Sequence, residues 1–278
     1  MLFLELKKVW MNRLTWAAVL VGTVLAVLAF VIAVFFDQHN AIGVLPEHLT
    51  LLYESGIGQM MLFLLLPILA SFPAACSWYE EKSNNAICLT LARTGRSTYY
   101  TGKAAAVALS GFLMGIYPLL LNYLLCLVAV PRGKLLSVSP SMTSSVYENY
   151  FQDKIPYSLS EMLFPSLYMN APVLNMLLHI LLIGLFCGMM ALLTYAVSLY
   201  FHPNAVVVAI LPSLAVAVLY LLIGVMGRSE WISVNLLQLR TEDMTPAAFL
   251  VIGVSLVLPL LLSLGLLLMK VKVDRDEL

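Results

Sequence analysis

Residues 173–200 read VLNMLLHILLIGLFCGMMALLTYAVSLY, and no Lys, Arg, Asp or Glu occurs among them. A helix rises about 1.5 Å per residue, so a helix of about 20 residues crosses the ~30 Å hydrocarbon core of a bilayer. Five further stretches share this length and this lack of charge. The predicted spans are residues 14–36, 57–79, 104–130, 173–200, 205–226 and 247–269. We expect an all-α polytopic membrane protein with six transmembrane helices.

The composition of the whole chain agrees with this prediction. Of the 278 residues, 62% are hydrophobic and 11% are charged, against about 25% charged in a typical soluble domain. The connecting segments are too short for a large soluble domain, which predicts one membrane domain, residues 14–278, with modest loops. The absence of a basic face argues against a nucleic acid partner. Because the cysteines form no C-x-x-C pair and the histidines are scattered, we expect no metal site.

The basic residues predict the orientation of the spans. Ten Lys and Arg residues fall in the N-terminus, the loop 80–103 and the C-terminal tail, and five fall in the loops on the other side. The more basic side faces the cytoplasm. Both termini and loop 80–103 are therefore predicted to be cytoplasmic, and loops 37–56, 131–172 and 227–246 to face outward. The predicted location is the inner (plasma) membrane of a bacterium.

The outer loop 131–172 carries two capping-box patterns, Ser145-x-x-Glu148 and Ser158-x-x-Glu161. These patterns predict short helices on the outer face. The six Tyr and Phe residues of the loop are typical of side chains at a headgroup interface. Helices lying on the membrane surface and a ligand-binding aromatic site both remain open.

Residues 1–13, MLFLELKKVWMNR, predict an amphipathic helix in the cytoplasmic interface. Its apolar face carries Phe3, Leu6 and Trp10, and a polar face includes Glu5 and Lys8. On this prediction Trp10 lies at headgroup depth, the lysines contact anionic lipid, and the chain then turns into the first span. The residues predicted to hold this helix at the interface are Lys7, Lys8, Trp10 and Arg13.

Residues 79–103, YEEKSNNAICLTLARTGRSTYYTGK, are the most informative cytoplasmic segment. Asn85 can cap a short helix that runs through Ala92, and Thr94-Gly95 breaks that helix. Ser97 can then cap the third span. A short helix held parallel to the membrane between charged ends is suited to docking a cytoplasmic partner. The alternative is a charged loop that only marks topology.

This layout resembles the permease subunit of an ABC-2-type transporter, of the small six-helix kind. Tyr79-Glu80-Glu81-Lys82, Leu91-Ala92-Arg93-Thr94-Gly95-Arg96 and Tyr99-Tyr100-x-Gly102-Lys103 are similar to the acidic, Arg and Gly-Lys pattern of that family. The family often has a proline before its arginine, where this chain has Thr94-Gly95. The resemblance implies that 83–96 is a coupling helix, which seats in a groove of a cytoplasmic ABC ATPase. The residues assigned to this coupling are Glu80, Glu81, Ile87, Leu91, Arg93, Arg96 and Lys103.

The resemblance also implies the partners of the chain. They are cytoplasmic ABC ATPase subunits, which would bind ATP and Mg, a second permease in a homo- or heterodimer, and membrane lipids. The chain itself lacks a Walker A motif, because Ser97 stands at the first glycine position and Ala104 follows Lys103. We therefore expect no catalytic residue and no enzymatic activity in this chain. The expected activity is export of an amphipathic or apolar cargo, such as a peptide, a lipid-like molecule or a drug.

Three other functions remain open. A secondary transporter usually needs ionisable groups inside its spans, and only His179 meets that condition. Asn122 and Asn175 could join helices together as well as bind a solute. A membrane scaffold without a transport role is compatible with the same sequence. An intramembrane hydrolase is disfavoured, because Glu80-Glu81 begins a Glu-Glu-x-x-x-Arg protease signature in which Asn85 replaces the arginine.

Overall fold

A computed structural model describes residues 2–32, 50–52, 65–73, 94–129, 163–201, 204–226 and 248–276, together with residues 81, 82, 84, 87, 90 and 237. Seven helices have bounds within this part of the chain, and no strand occurs there. They are α1 (Leu2–Met11), α2 (Arg13–Ile32), α3 (Arg96–Ala129), α4 (Pro165–Asn170), α5 (Pro172–Ser198), α6 (Ala205–Val225) and α7 (Ala248–Asp276). The predicted all-α class is confirmed for these residues.

Five of these helices are long and apolar enough to cross a membrane, namely α2, α3, α5, α6 and α7. Four of them match predicted spans to within a few residues at their starts, and α7 continues beyond residue 269 to Asp276. Of the predicted span 57–79, residues 65–73 are helical. Because the rest of that span lies outside the described residues, the sixth crossing stays a prediction.

Two contacts place Leu51 and Glu81 at opposite ends of α3. The backbone N–H of Leu51 donates to Asn122 Oδ1 on α3. Glu81 contacts Lys103, which lies on the same helix about 28 Å away at 1.5 Å per residue. In between, Ser71 accepts a hydrogen bond from Thr194 of α5, so the helical residues 65–73 pack inside the bundle.

The start of α3 agrees to within two residues with the predicted Ser97 cap, and it lies before the apolar stretch of the third span. The apolar stretch begins at residue 104, but the helix extends two turns before it, to Arg96, one residue before the predicted Ser97 cap. Gly95 has a φ of +73°, a left-handed conformation that glycine adopts without steric cost, and it separates α3 from the helical Thr94. The predicted break at Thr94-Gly95 is therefore observed. The two extra turns are helical because Tyr99, Tyr100 and Lys103 are buried there.

The central contact of the bundle is the antiparallel pair α3 and α5, whose backbones approach closely at four glycines. A Cβ atom on Gly111 would lie 2.4 Å from Ala191 Cβ, and one on Gly115 would lie 2.6 Å from Cys187 Cβ. Gly184 and Gly188 on α5 face α3 in the same way. Small residues permit this separation, which adds van der Waals contact where lipid offers no hydrophobic driving force between helices.

The two ends of the bundle differ in kind. We call the end that holds α1, the start of α3 and the end of α5 the basic end, and the C-terminal part of α7 packs there too. At the opposite end, the three loops predicted to face outward each place a buried leucine in the main apolar core: Leu52, Leu163 and Leu237. The short helix α4 lies in loop 131–172. The helices predicted near Ser145 and Ser158 lie outside the described residues.

Candidate functional site

The basic end holds a compact group of charged side chains from three separate parts of the chain. Glu5 and Lys8 come from α1, Glu81 follows the second predicted span, and Tyr99 and Lys103 come from α3. These five residues are called the charge cluster. Glu5 and Lys103 are each 1% exposed and Glu81 is 9% exposed, so three of its four charges are buried.

The ion pairs of the charge cluster form a closed network. The Lys103 ammonium lies 2.5 Å from Glu81 Oε2 and 3.8 Å from Glu5 Oε2. The Lys8 ammonium lies 2.8 Å from Glu5 Oε1 and 3.0 Å from Glu81 Oε1. The Tyr99 hydroxyl also donates to Glu81 Oε2. Each lysine therefore contacts both glutamates, and the formal charges of the cluster sum to zero.

Local sequence places these side chains on the correct faces. Glu5 and Lys8 are three residues apart on α1, and Tyr99 and Lys103 are four apart on α3, so each pair shares one side of its helix. The turn between α1 and α2 fixes the angle of α1. There the Leu14 N–H donates to Asn12 Oδ1, an N-cap for α2, and the Thr15 hydroxyl donates to the Val9 carbonyl.

The surroundings of Glu81 and Lys8 keep both side chains ionised. Burial raises the pKa of the Glu81 carboxyl. The Lys103 ammonium and the hydrogen bonds from Lys103, Tyr99 and Lys8 lower it by more than burial raises it, so the pKa lies below its ordinary value. Burial lowers the pKa of Lys8, and its bonds to Glu5 and Glu81 outweigh that effect, so this pKa is raised. The charged forms are therefore stable near neutral pH.

The orientation of α1 shows which side of the helix faces the rest of the protein, and its interfacial role stays a prediction. The side of α1 that faces the protein is the side of Glu5 and Val9, both buried, whereas Phe3 is 79% exposed. The Lys8 ammonium donates to Glu5 and Glu81. The buried Lys103 draws the acidic face of α1 inward. The helix still presents apolar side chains outward, as an interfacial helix would.

The other predicted site residues fall into three groups. Lys7 and Arg13 are exposed, and Trp10 is partly buried against the apolar core. Ile87 packs against a second apolar cluster that contains Tyr99 and Tyr195. Arg96 is half-buried, and one of its guanidinium nitrogens has no hydrogen-bond partner among the described residues. Glu80, Leu91 and Arg93 lie outside the described residues. The roles assigned to all of these residues stay predictions.

The charge cluster can connect helices to one another rather than serve as a reactive centre. Its carboxylates and ammonium groups are paired with one another, and it joins α1, the segment after span two and α3. Within the described part of the chain, no three His, Cys, Asp or Glu residues come together as metal ligands. Breaking one ion pair would leave a buried charge uncompensated, which is strongly unfavourable. The cluster therefore holds its three segments together.

Sequence reasoning did not find two features of the bundle. The α3–α5 seam has a visible signal, since GFLMG at 111–115 and GLFCG at 184–188 are both small-xxx-small patterns. The inward position of Glu5 has no local signal, because its partners lie far along the chain.

Taken together, the described helices fit a multi-pass membrane protein in which α1 and the C-terminal part of α7 lie at the same end of the bundle. Comparison of the chain with family profiles, with curated proteins and with solved structures finds no match.

Proposed function

We propose that the chain is the transmembrane permease subunit of an ATP-driven ABC transporter, of the ABC-2 type, and that it works with separate cytoplasmic ATPase subunits. The observation that carries this proposal is the anchoring of the cytoplasmic segment. Glu81 at its start and Lys103 at its end form one ion pair, 22 residues apart, and Lys8 joins α1 to the same pair. A segment held at both ends transmits a push on its middle to the helices that hold it.

We assign two different roles to the predicted coupling residues, transmission within this chain and contact with the ATPase. Because Glu81 and Lys103 are buried and paired with each other, we assign them to transmission within this chain. Contact with the ATPase is assigned to the intervening residues 83–96, in which Arg93 and Arg96 supply positive charge. Ile87 anchors the middle of the segment to the apolar cluster around Tyr99. In this mechanism, closure of the ATPase dimer moves α1 and α3 together.

The cargo class follows from the chemistry of the spans. The charged side chains of the long helices lie at the basic end, and the rest of their length is apolar, so an amphipathic or apolar cargo fits better than an ion. Large apolar side chains of α2, α6 and α7 face away from the bundle. Lipid and a second permease, identical or not, are the partners that would cover them. The proposed direction of transport is export.

A docking test separates this proposal from a scaffold without transport. The full chain is purified with the proteins encoded beside it, and ATP-stimulated efflux of a fluorescent amphipathic dye is measured in proteoliposomes. We expect an ATPase to co-purify, and Arg93→Glu/Arg96→Glu to lose both the ATPase and the ATP-stimulated efflux. Lys7→Glu is the matched control, since Lys7 is an exposed cation outside the segment. If the double variant keeps both properties, the assignment of 83–96 is wrong.

A secondary transporter is the second candidate, and one observation favours it. Glu5 and Glu81 are buried carboxylates at the basic end of the bundle, and proton relays in pumps and transporters use buried ionisable groups. An imposed pH gradient would then drive efflux from proteoliposomes that contain this chain alone. On the permease proposal such vesicles show no gradient-driven efflux.

A further inference from the structure

Two polar residues near the start of α5 lie buried at the end of the bundle opposite the charge cluster. Asn175 and His179 are four residues apart, so their side chains share one side of the helix. Both are 0% exposed. Within the described part of the chain, Asn175 Oδ1, Asn175 Nδ2 and His179 Nε2 have no hydrogen-bond partner. Buried polar atoms are rarely left unpaired, because their desolvation is then uncompensated. This pair therefore indicates an occupant.

The hydrogen bond between His179 and the Leu237 carbonyl determines which chemical groups the pair can bind. His179 Nδ1 lies 2.9 Å from the Leu237 carbonyl oxygen, and a carbonyl oxygen can only accept. Nδ1 therefore carries the proton, and in a neutral imidazole Nε2 is left as an acceptor. Asn175 adds one acceptor oxygen and two donor hydrogens. The matching group must donate to Nε2 and also exchange a hydrogen bond with a carboxamide.

The surroundings of the pair favour a neutral group. The Phe164 ring stands edge-on to His179 with 6.1 Å between ring centroids, and it also contacts Phe249 of α7 at 5.9 Å. Met176, on the same helix, is buried in the main apolar core. These three neighbours carry no formal charge, so an ion beside them would lose its hydration without gaining a counter-charge from them.

We propose that Asn175 and His179 form an occluded binding site for a neutral hydroxyl group, supplied by a trapped water or by a small alcohol-like ligand. A hydroxyl donates to Nε2 and also accepts from Asn175 Nδ2, and the three unpaired atoms match the two to four partners that a buried water takes. Phe164 and Leu237, both from loops predicted to face outward, cover the site. The proposal does not depend on the proposed transport function.

The test uses nitrogen NMR of the full chain in phosphatidylcholine nanodiscs, since that lipid headgroup has no hydroxyl. His39, His48 and His202 are replaced by Gln, so that ¹⁵N-histidine labels His179 alone. Spectra are recorded in buffer, with 1-hexanol, and with methyl pentyl ether, which has no O–H donor. A saturable upfield shift of Nε2 with 1-hexanol and not with the ether identifies an alcohol ligand. An upfield Nε2 in buffer that 1-hexanol leaves unchanged identifies water.

Two variants make the test decisive. His179→Asn retains a donor for the Leu237 carbonyl but removes Nε2, and Asn175→Leu removes the carboxamide at similar volume. Asn175→Leu should weaken an alcohol ligand about tenfold, or return Nε2 to its unbonded position if the occupant is water. Both variants should lower the thermal unfolding midpoint. The proposal is overturned if Nε2 accepts no hydrogen bond in any sample. It is also overturned if the unfolding midpoint rises in Asn175→Leu, because leucine would then have filled an empty polar site.

Discussion

The charge cluster leads to a quantitative prediction for Lys103→Met, which removes one buried charge at nearly constant volume. Loss of one partner from a buried ion pair costs about 3–5 kcal/mol. Lys8 still contacts both glutamates, but its side chain is 49% exposed, so it offsets about 1 kcal/mol at most. We therefore expect the free energy of unfolding to fall by about 2–4 kcal/mol. The assay is reversible unfolding by SDS in mixed micelles, followed by circular dichroism.

Two further variants show whether the loss arises from an uncompensated charge. Glu81→Gln/Lys103→Met removes both partners and leaves Glu5 paired with Lys8, 2.8 Å away. The double variant should therefore lie within about 1 kcal/mol of the native chain. Lys7→Met, at an exposed site on α1, should change stability by less than about 0.5 kcal/mol. An uncompensated charge is not the cause if Lys103→Met lowers the free energy of unfolding no more than Lys7→Met does, or if the double variant is no more stable than Lys103→Met.

Three other predictions use thermal unfolding midpoints of the purified chain. Gly115→Ala places a Cβ 2.6 Å from Cys187 Cβ and should lower the stability by about 1–3 kcal/mol. Gly265→Ala, where no described atom lies within 4 Å of the added Cβ, should leave the midpoint unchanged. Equal effects of the two variants would refute close packing of α3 against α5. Gly95→Ala should cost about 1–2 kcal/mol at a φ of +73°, with Gly95→Asn milder, and an unchanged midpoint would contradict this. Because the pKa of Glu81 is lowered in the folded protein, its ionised form contributes fully to stability above the ordinary pKa of 4.5, and this contribution is lost as the pH falls through the folded pKa. Glu81→Gln should therefore flatten the acidic part of the curve of unfolding midpoint against pH. Parallel curves for the two proteins would contradict this.

The spans could be predicted because their signal is local. Twenty consecutive apolar residues leave a helix as the only open-chain structure that satisfies its own backbone in lipid. The bounds of α5 and α6 agree closely with the apolar stretches for that reason. The start of α3 lies two turns before its apolar stretch, where hydropathy gives no signal and only the Ser97 cap indicates it. Lys103 counts as a loop residue by composition, and only its pairing with Glu81 makes a buried helical position favourable.

The candidate site was predicted only in part, for the same physical reason. The family resemblance assigns Glu81 and Lys103 to ATPase coupling, but nothing in the sequence indicates that their side chains pair with each other in a buried position. Periodicity alone likewise places Lys8 among the lipid-facing cations of α1. Its partner Glu81 lies 73 residues away, and no local pattern reports such a contact. The unpaired state of Asn175 also needs the structure, since the sequence left joining helices and binding a solute equally open.

The central claim is that the charge cluster holds α1 against α3, and a distance measurement tests it directly. Nitroxide labels at Lys7→Cys and Ser97→Cys, both exposed positions, are introduced into a chain whose four native cysteines are replaced by alanine. Pulsed electron paramagnetic resonance then gives the distance distribution between α1 and the start of α3. We predict one narrow distribution when the cluster is intact and a broad, longer one in Lys103→Met. Identical distributions in the two proteins would contradict the claim.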